Sequence, residues 1–448
     1  MIDLFLKKIK ETEFQKKAII LNNEELLYSE LNNKIEELYS LISKSFGQKK
    51  VVVISGDYSF NSIALVFALS KHRCVFIPII SNNESEISKK IGVSKPDYII
   101  DSVTLSISKV NNDDSEQNSY YSELFKSDKS GLVLFSSGST GDPKAMVHDF
   151  DNLLGTYLDV KTKNLTFLVF LMFDHIGGLN TMLNILSMGS TMVIPEKREP
   201  ELIGELIQKY KVNILPASPT FLNLMNIGGV FDNYDLSSLK LVTYGTEPMS
   251  ENLLGNLKLK LPKARLIQTF GTSETGIIKT KSKSSTSLLI KFDDSDQEVK
   301  IVNNELWIKS NTRVLGYINH NNDSFTGDGW FKTGDLVEEK ENGYYRIVGR
   351  KSKIINVGGE KVLPIEVETV ILDLNYILDC TVYAKDNPIT GQVVAVKVVV
   401  KSMDIDLKQL KKSIKLHCKK NLERYKVPAE IIISDKIDYS TRFKKNLE

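Results

Sequence analysis

Short apolar runs alternating with amphipathic stretches open this chain, and few architectures accommodate that pattern. Leu31, Ile35, Leu38 and Ile42 recur at helical spacing behind Ser29, a residue suited to cap the helix they predict. The apolar run Val51-Val52-Val53-Ile54 follows, then a second helical stretch, then Val75-Phe76-Ile77-Pro78. Strands apolar along their whole length must be buried on both faces, which predicts a parallel, helix-covered sheet.

Further apolar runs at 98–100, 132–135, 167–171, 192–194 and 240–243, with a helix-like stretch at 202–210, extend this rhythm over three-quarters of the chain. Residues 104–129 and 279–299, rich in Ser, Asp, Lys and Asn, read as exposed loops. From about residue 350 a smaller pattern begins: strands near 379–384 and 393–400, a helix near 407–420 and a strand at 429–434. At 448 residues the chain exceeds what one hydrophobic core usually supports. The expected fold class is α/β, with a large N-terminal body over 1–350 made of α/β subdomains and a small, mobile α+β C-terminal domain over 351–448. No solenoid-like repeat is visible.

Charge excludes some partners. The 58 Lys and Arg are offset by 56 acidic residues, and a net charge of +2 provides no general attraction to nucleic acid or anionic lipid. The three cysteines, Cys74, Cys380 and Cys418, match neither a metal-site spacing nor a disulfide framework, which fits a reducing compartment. The apolar patch at Met1 is too short for a signal peptide, and no apolar window is long enough to span a membrane. A cytoplasmic location is expected.

The run Ser136-Ser137-Gly138-Ser139-Thr140-Gly141-Asp142-Pro143-Lys144 follows the strand at 132–135 directly. Small hydroxyl residues and glycines let backbone N–H groups approach phosphate oxygens, and Lys144 adds a positive charge. The spacing is neither that of a Walker A loop nor that of a dinucleotide-binding turn. Taken alone, the run is equally a flexible loop.

With four further segments in order, it resembles the phosphate loop of the adenylate-forming superfamily of acyl-CoA synthetases, peptide-synthetase adenylation domains and luciferases. Tyr244-Gly245-Thr246-Glu247-Pro248 is similar to the loop bordering adenine. Phe270-Gly271-Thr272-Ser273-Glu274 resembles the segment whose hydroxyl meets phosphate and whose Glu serves Mg²⁺, with Ser273 where Thr is usual. Asp335, in Thr333-Gly334-Asp335, stands where relatives bind the ribose hydroxyls, a task an acceptor-only carboxylate suits. Gly349-Arg350 begins a stretch like the family hinge and glycine loop. By that likeness Arg350 meets the nucleotide, Ser352 is the hinge in place of the usual Asp or Lys, and Gly358 and Gly359 line a thiol tunnel.

Phe173-Asp174-His175-Ile176-Gly177-Gly178 is similar to the acyl-pocket segment of carboxylate-activating members, which assigns His175 and Gly178 to the substrate. The amino-acid branch carries an Asp in this region, so Asp174 keeps that branch open, but His-Ile-Gly-Gly fits the acyl and aryl branch better. Near the C-terminus, Tyr425-Lys426-Val427-Pro428 leads to Lys444, placed where the family's adenylation lysine falls, with Lys445 as its rival and Phe443 where Gly is usual.

The resemblance implies two half-reactions. A carboxylate attacks the α-phosphorus of ATP to give acyl-AMP and pyrophosphate, with Lys444, Lys144, Ser137, Thr140 and Mg²⁺ at Glu274 spreading charge. A thiol then takes the acyl group, and it belongs to coenzyme A or to the phosphopantetheine of a separate acyl carrier protein. A catalytically silent nucleotide-binding protein is the alternative of another class, suggested by Ser352 and Phe443.

Overall fold

Helix Tyr28–Ser45 buries Leu31, Ile35, Leu38 and Ile42, the residues whose spacing predicts it. Its cap differs from expectation: Leu27 takes the N-cap position, donating its N–H to Glu30 Oε2 at 2.6 Å, and Ser29 is buried within the first turn. An apolar helix entrance packed against the body displaces the hydroxyl cap by two residues. Strand Val51–Ser55, helix Phe60–Lys71 and strand Val75–Ile79 follow, the two strands pairing in parallel. In this computed structural model the described residues are 1–12, 15–111, 118–137, 143–293, 296–401, 406–434 and 439, without the side chain of Ser137.

Two seven-stranded sheets form most of the body. One runs in the order Gly316–Tyr317, Pro143–Asp149, Gly131–Ser137, Val75–Ile79, Val51–Ser55, Tyr98–Asp101, Ile107–Lys109, parallel at its centre and antiparallel at its edges. The other runs Arg265–Gln268, Leu241–Tyr244, Ile214–Ala217, Thr166–Leu168, Thr191–Ile194, Lys17–Leu21, Glu24–Leu27, parallel except for its last pair. The main core joins them through helices: Leu38, Phe67 and Leu183 pack in one cluster with Val52 and Phe76 of the first sheet and Ile19 and Met192 of the second.

Two segments read as loops are structured. In 104–129 the chain forms strand Ile107–Lys109 and helix Ser119–Lys126, which buries Tyr121, Leu124 and Phe125 against Val133 and Val147. In 279–299 it forms strands Thr280–Ser282 and Leu289–Phe292 and enters strand Gln297–Val302, all members of a six-stranded antiparallel sheet. An antiparallel sheet can leave one face in water, so its strands tolerate the Ser, Lys and Asp that suggested loops.

The last strand of that sheet, Tyr344–Arg350, is followed by a short 3₁₀ turn at Lys351–Lys353. A five-stranded sheet with its own core then begins at Ile355–Val357, and helices Pro364–Leu372 and Leu407–Asn421 cover it with Val367, Ile371, Leu410 and Ile414. Strands Ile377–Asn387, Gly391–Val400 and Glu430–Ser434 lie where the sequence suggests. The three cysteines are buried, and no helix among the described residues is long and apolar enough to cross a membrane.

His148 occupies strand Pro143–Asp149, fully enclosed, with no hydrogen-bond partner for either ring nitrogen among the described residues. Burial pulls its pKa from 6.5 down to about 4. The neutral ring is therefore the native form, and the unfolded chain takes up the extra proton as pH falls through 6.5 towards 4. Acidification from pH 7 to 5 is expected to cost about 2 kcal/mol through this residue. Denaturation midpoints at the two pH values, for wild type and His148→Leu, check this; equal pH sensitivity would exclude His148 as the source.

Candidate active site

Several loops that leave C-terminal strand ends of the body converge on one cavity of about 1560 Å³, whose far wall comes from the C-terminal unit through Pro364, Leu372, Asp379 and Tyr383. Crevices at the carboxyl ends of parallel strands are where open α/β sheets present ligands to loop backbone.

Strand Gly131–Ser137 delivers Phe135 and Ser136 to this cavity, and Pro143 returns from the loop as strand Pro143–Asp149 begins. Lys144 pairs in register with Ser136 across the hairpin, half-buried at the loop's root. Gly138, Ser139, Thr140 and Gly141 lie outside the described residues, as do Lys444 and Lys445.

Strand Leu241–Tyr244 ends in Gly245, Thr246, Glu247 and Pro248, all lining the cavity. Thr246 has φ +70°, a conformation that is strained for a β-branched residue and persists where surrounding structure enforces it. The anchor is Glu247, whose Oε2 accepts hydrogen bonds from Thr220 Oγ1 at 2.7 Å and the Thr220 N–H at 3.3 Å.

Phe270 and Gly271 line the same space from the short hairpin of Phe270–Thr272 and Gly276–Ile278. Thr272 turns inward: its Oγ1 accepts the Thr275 N–H at 3.1 Å and lies 3.0 Å from the Thr275 hydroxyl, fastening the turn that presents Ser273 and Glu274. Glu274 is half-buried, and Oε1 accepts the hydroxyl of Tyr317 at 2.9 Å. Burial and that neighbouring carboxylate hold the Tyr317 phenol protonated, far above its ordinary range.

Asp335 and Arg350 face each other across strands Phe331–Lys340 and Tyr344–Arg350, with Arg350 Nε donating to Asp335 Oδ1 at 2.9 Å. Burial raises the Asp335 pKa, Arg350 works against that rise, and the charges of Glu274 and Glu305 add to it. Glu274 is not among the described residues lining the cavity; its carboxylate is a hard oxygen donor of the kind that can hold Mg²⁺.

Other sequence assignments fall elsewhere. His175 caps helix Ile176–Met188, its Nδ1 accepting the Gly177 N–H at 3.1 Å, and is not among the described residues lining the cavity. Gly178 serves helix packing: a Cβ there would stand 2.0 Å from the carbonyl oxygen of Met172. Gly358 and Gly359, with φ +61° and +99°, make the tight turn between Ile355–Val357 and Glu360–Val362; both are exposed and outside the cavity lining. Ser352 does line it, from the 3₁₀ turn.

Two participants were not legible beforehand. Tyr317 reaches Glu274 from far along the chain, and Lys90, on helix Glu84–Ser94, contacts the cavity from beneath Phe135. Lys90 is almost fully enclosed, 2.6 Å from Glu86 Oε1 and 3.8 Å from Asp174 Oδ2. Read by itself, helix Glu84–Ser94, with Glu84, Glu86, Lys89 and Lys90, has the composition of a solvated face.

The profile described as AMP-binding enzyme matches residues 5–318, and its C-terminal companion, AMP-binding enzyme C-terminal domain, matches 366–444. The chain belongs to the AMP-binding enzyme family. Among the relatives of this AMP-binding enzyme, a 2-succinylbenzoate–CoA ligase of Listeria monocytogenes is 26% identical, over 94% of this chain and 92% of that protein. One from Staphylococcus epidermidis is 25% identical, over 98% of this chain and 95% of the other. The anthranilate CoA ligase AuaEII, solved with anthranoyl-AMP, superposes with a TM-score of 0.82 at 17% identity, over 99% of this chain and 95% of its own. The o-succinylbenzoate CoA synthetase of Bacillus subtilis, solved with an acyl-adenylate, gives 0.77 at 19% identity, over 98% and 96%. These superpositions show that the AMP-binding enzyme has the fold of adenylate-forming enzymes, with a large N-terminal and a small C-terminal domain.

Proposed function

We propose that this AMP-binding enzyme uses ATP to convert a carboxylic acid into an acyl-adenylate, releasing pyrophosphate, and then transfers the acyl group to the thiol of coenzyme A. The observation that carries the reading is the convergence on one cavity of Ser136, residues 245–248, Phe270 and Gly271, Asp335 and Arg350. Its relatives named as CoA ligases, matched over nearly their full length, support the thiol as acceptor.

In the first step a carboxylate oxygen bonds to the α-phosphorus as the bond to pyrophosphate breaks. No general base is required, because a carboxylate is already ionised at neutral pH. The protein's part is positioning and charge stabilisation. We assign the phosphates to residues 136–141 with Lys144, the adenine to residues 245–248, and the ribose to Asp335 with Arg350 alongside. Lys444, with Lys445 next to it, is assigned to the reacting phosphate and carboxylate. Glu274 would hold Mg²⁺, which when bound neutralises phosphate charge. In the second step the thiolate sulfur bonds to the acyl carbon and AMP leaves. We divide the chain at residue 350 into a body and a lid, with Ser352 as hinge.

The acid is read as one without an α-amino group. Asp174, the residue that could pair with an ammonium, is buried and faces Lys90, and it is not among the described residues lining the cavity.

Pyrophosphate release from Mg·ATP across short, medium, aromatic and amino acids, with hydroxylamine to trap adenylates, tests the reading. Release is expected with one class of acyl or aryl acid. Silence with every acid, in a protein that still binds ATP, would overturn it.

A further inference from the structure

Glu274 is held from two directions by residues 314–319. The Val314 N–H donates to the Glu274 carbonyl at 2.8 Å, and the Tyr317 hydroxyl donates to its carboxylate at 2.9 Å. The opposite edge of the same segment bonds to the strand that leaves the phosphate loop. Gly316 and Tyr317 pair with Val147 and Met146, Leu315 N–H donates to Val147 at 2.7 Å, and Ile318 N–H donates to Ala145 at 2.9 Å. Asn319 closes the junction, its Oδ1 accepting the Ala145 N–H at 3.0 Å and its Nδ2 donating to the Pro143 carbonyl at 2.9 Å. Pro143 is the first described residue after the loop.

We infer that Tyr317 is a positioning residue for Glu274, and that residues 314–319 tie the carboxylate assigned to the cation to Pro143 and Ala145, at the start of the strand that follows the assigned phosphate loop. The inference rests on reading the cavity as an ATP site. Its physical content is a restraint: a cation shared between Glu274 and the phosphates needs both at one separation, and a carboxylate free to rotate would lose affinity in ordering. The Tyr317 ring is buried, with its centroid 5.9 Å from that of His320 and 6.1 Å from that of Phe325, so the phenol oxygen is presented by a fixed support. Tyr317→Phe keeps that ring and removes only the hydroxyl.

Calorimetric titration of ATP into wild type and Tyr317→Phe, once with Mg²⁺ and once with EDTA, separates positioning from packing. Loss of one hydrogen bond to a charged group is expected to weaken binding roughly tenfold in Mg²⁺, with no change in EDTA and a melting temperature close to wild type. Unchanged affinity in Mg²⁺, or an equal loss in both media, would overturn the inference. Wild type binding ATP equally well with and without Mg²⁺ would also overturn it, together with the metal role of Glu274. A protein showing the expected split yet forming no adenylate from any acid would sink the ligase reading and leave the Tyr317 assignment standing.

Discussion

Glu274→Gln is expected to lower kcat/KM for pyrophosphate release by about 10²–10³, the scale seen when one electrostatic stabiliser is removed from a transition state. The substitution is close to isosteric, and the glutamine carbonyl can still accept the Tyr317 hydroxyl that lies 2.9 Å from Oε1. The turn beneath it is fastened independently, by the Thr272–Thr275 hydrogen bonds and by Ser310 and Thr312 donating to the Thr275 carbonyl at 3.0 and 3.2 Å. Folding should therefore be nearly unaffected, and what is lost is one negative charge at the place assigned to the cation. Steady-state pyrophosphate release with the best acid, compared at matched Mg²⁺, measures the effect. A variant as active as the wild type would remove Glu274 from the chemistry.

Lys90→Ala is expected to destabilise the body by about 3–5 kcal/mol, because it takes one member out of a buried ion pair. Lys90 and Asp174 are both nearly inaccessible, 2% and 5% exposed, and Glu86 Oε1 lies 2.6 Å from the same ammonium. The ammonium also lies 5.6 Å from the centroid of the Phe135 ring, immediately before Ser136. The double variant Lys90→Met with Asp174→Asn should recover much of the loss, since it removes both charges and not one. Denaturant midpoints for the single and double variants check this. A loss below about 1 kcal/mol, the scale of an exposed pair, would show that the pair is solvated.

The parts of the site visible in the sequence are those whose chemistry is local. Ser136 and Pro143, residues 245–248, and Phe270 and Gly271 sit at or beside strand ends, Asp335 lies inside strand Phe331–Lys340 opposite Arg350, and the fold brings them to one cavity. His175, Gly178, Gly358 and Gly359 also stand in recognisable motifs, yet here they cap a helix, allow a close backbone approach and form a tight turn. A motif states which residues are present; it does not state which way each faces.

The helical and strand periodicities of residues 27–80 determined the helix-covered parallel sheet, because burial of one face imposes the spacing of apolar residues along the chain itself. The two segments mistaken for loops show where that signal weakens. Helix Ser119–Lys126 and the strands of the antiparallel sheet each have one wet side, so their polar residues mask the pattern. Tyr317 and Lys90 became visible only in three dimensions. Tyr317 meets Glu274 from 43 residues away, and Lys90, on helix Glu84–Ser94, meets Asp174 in the turn before helix Ile176–Met188. Local sequence carries what neighbouring residues impose on one another, and contacts between distant elements exist only once the chain has packed.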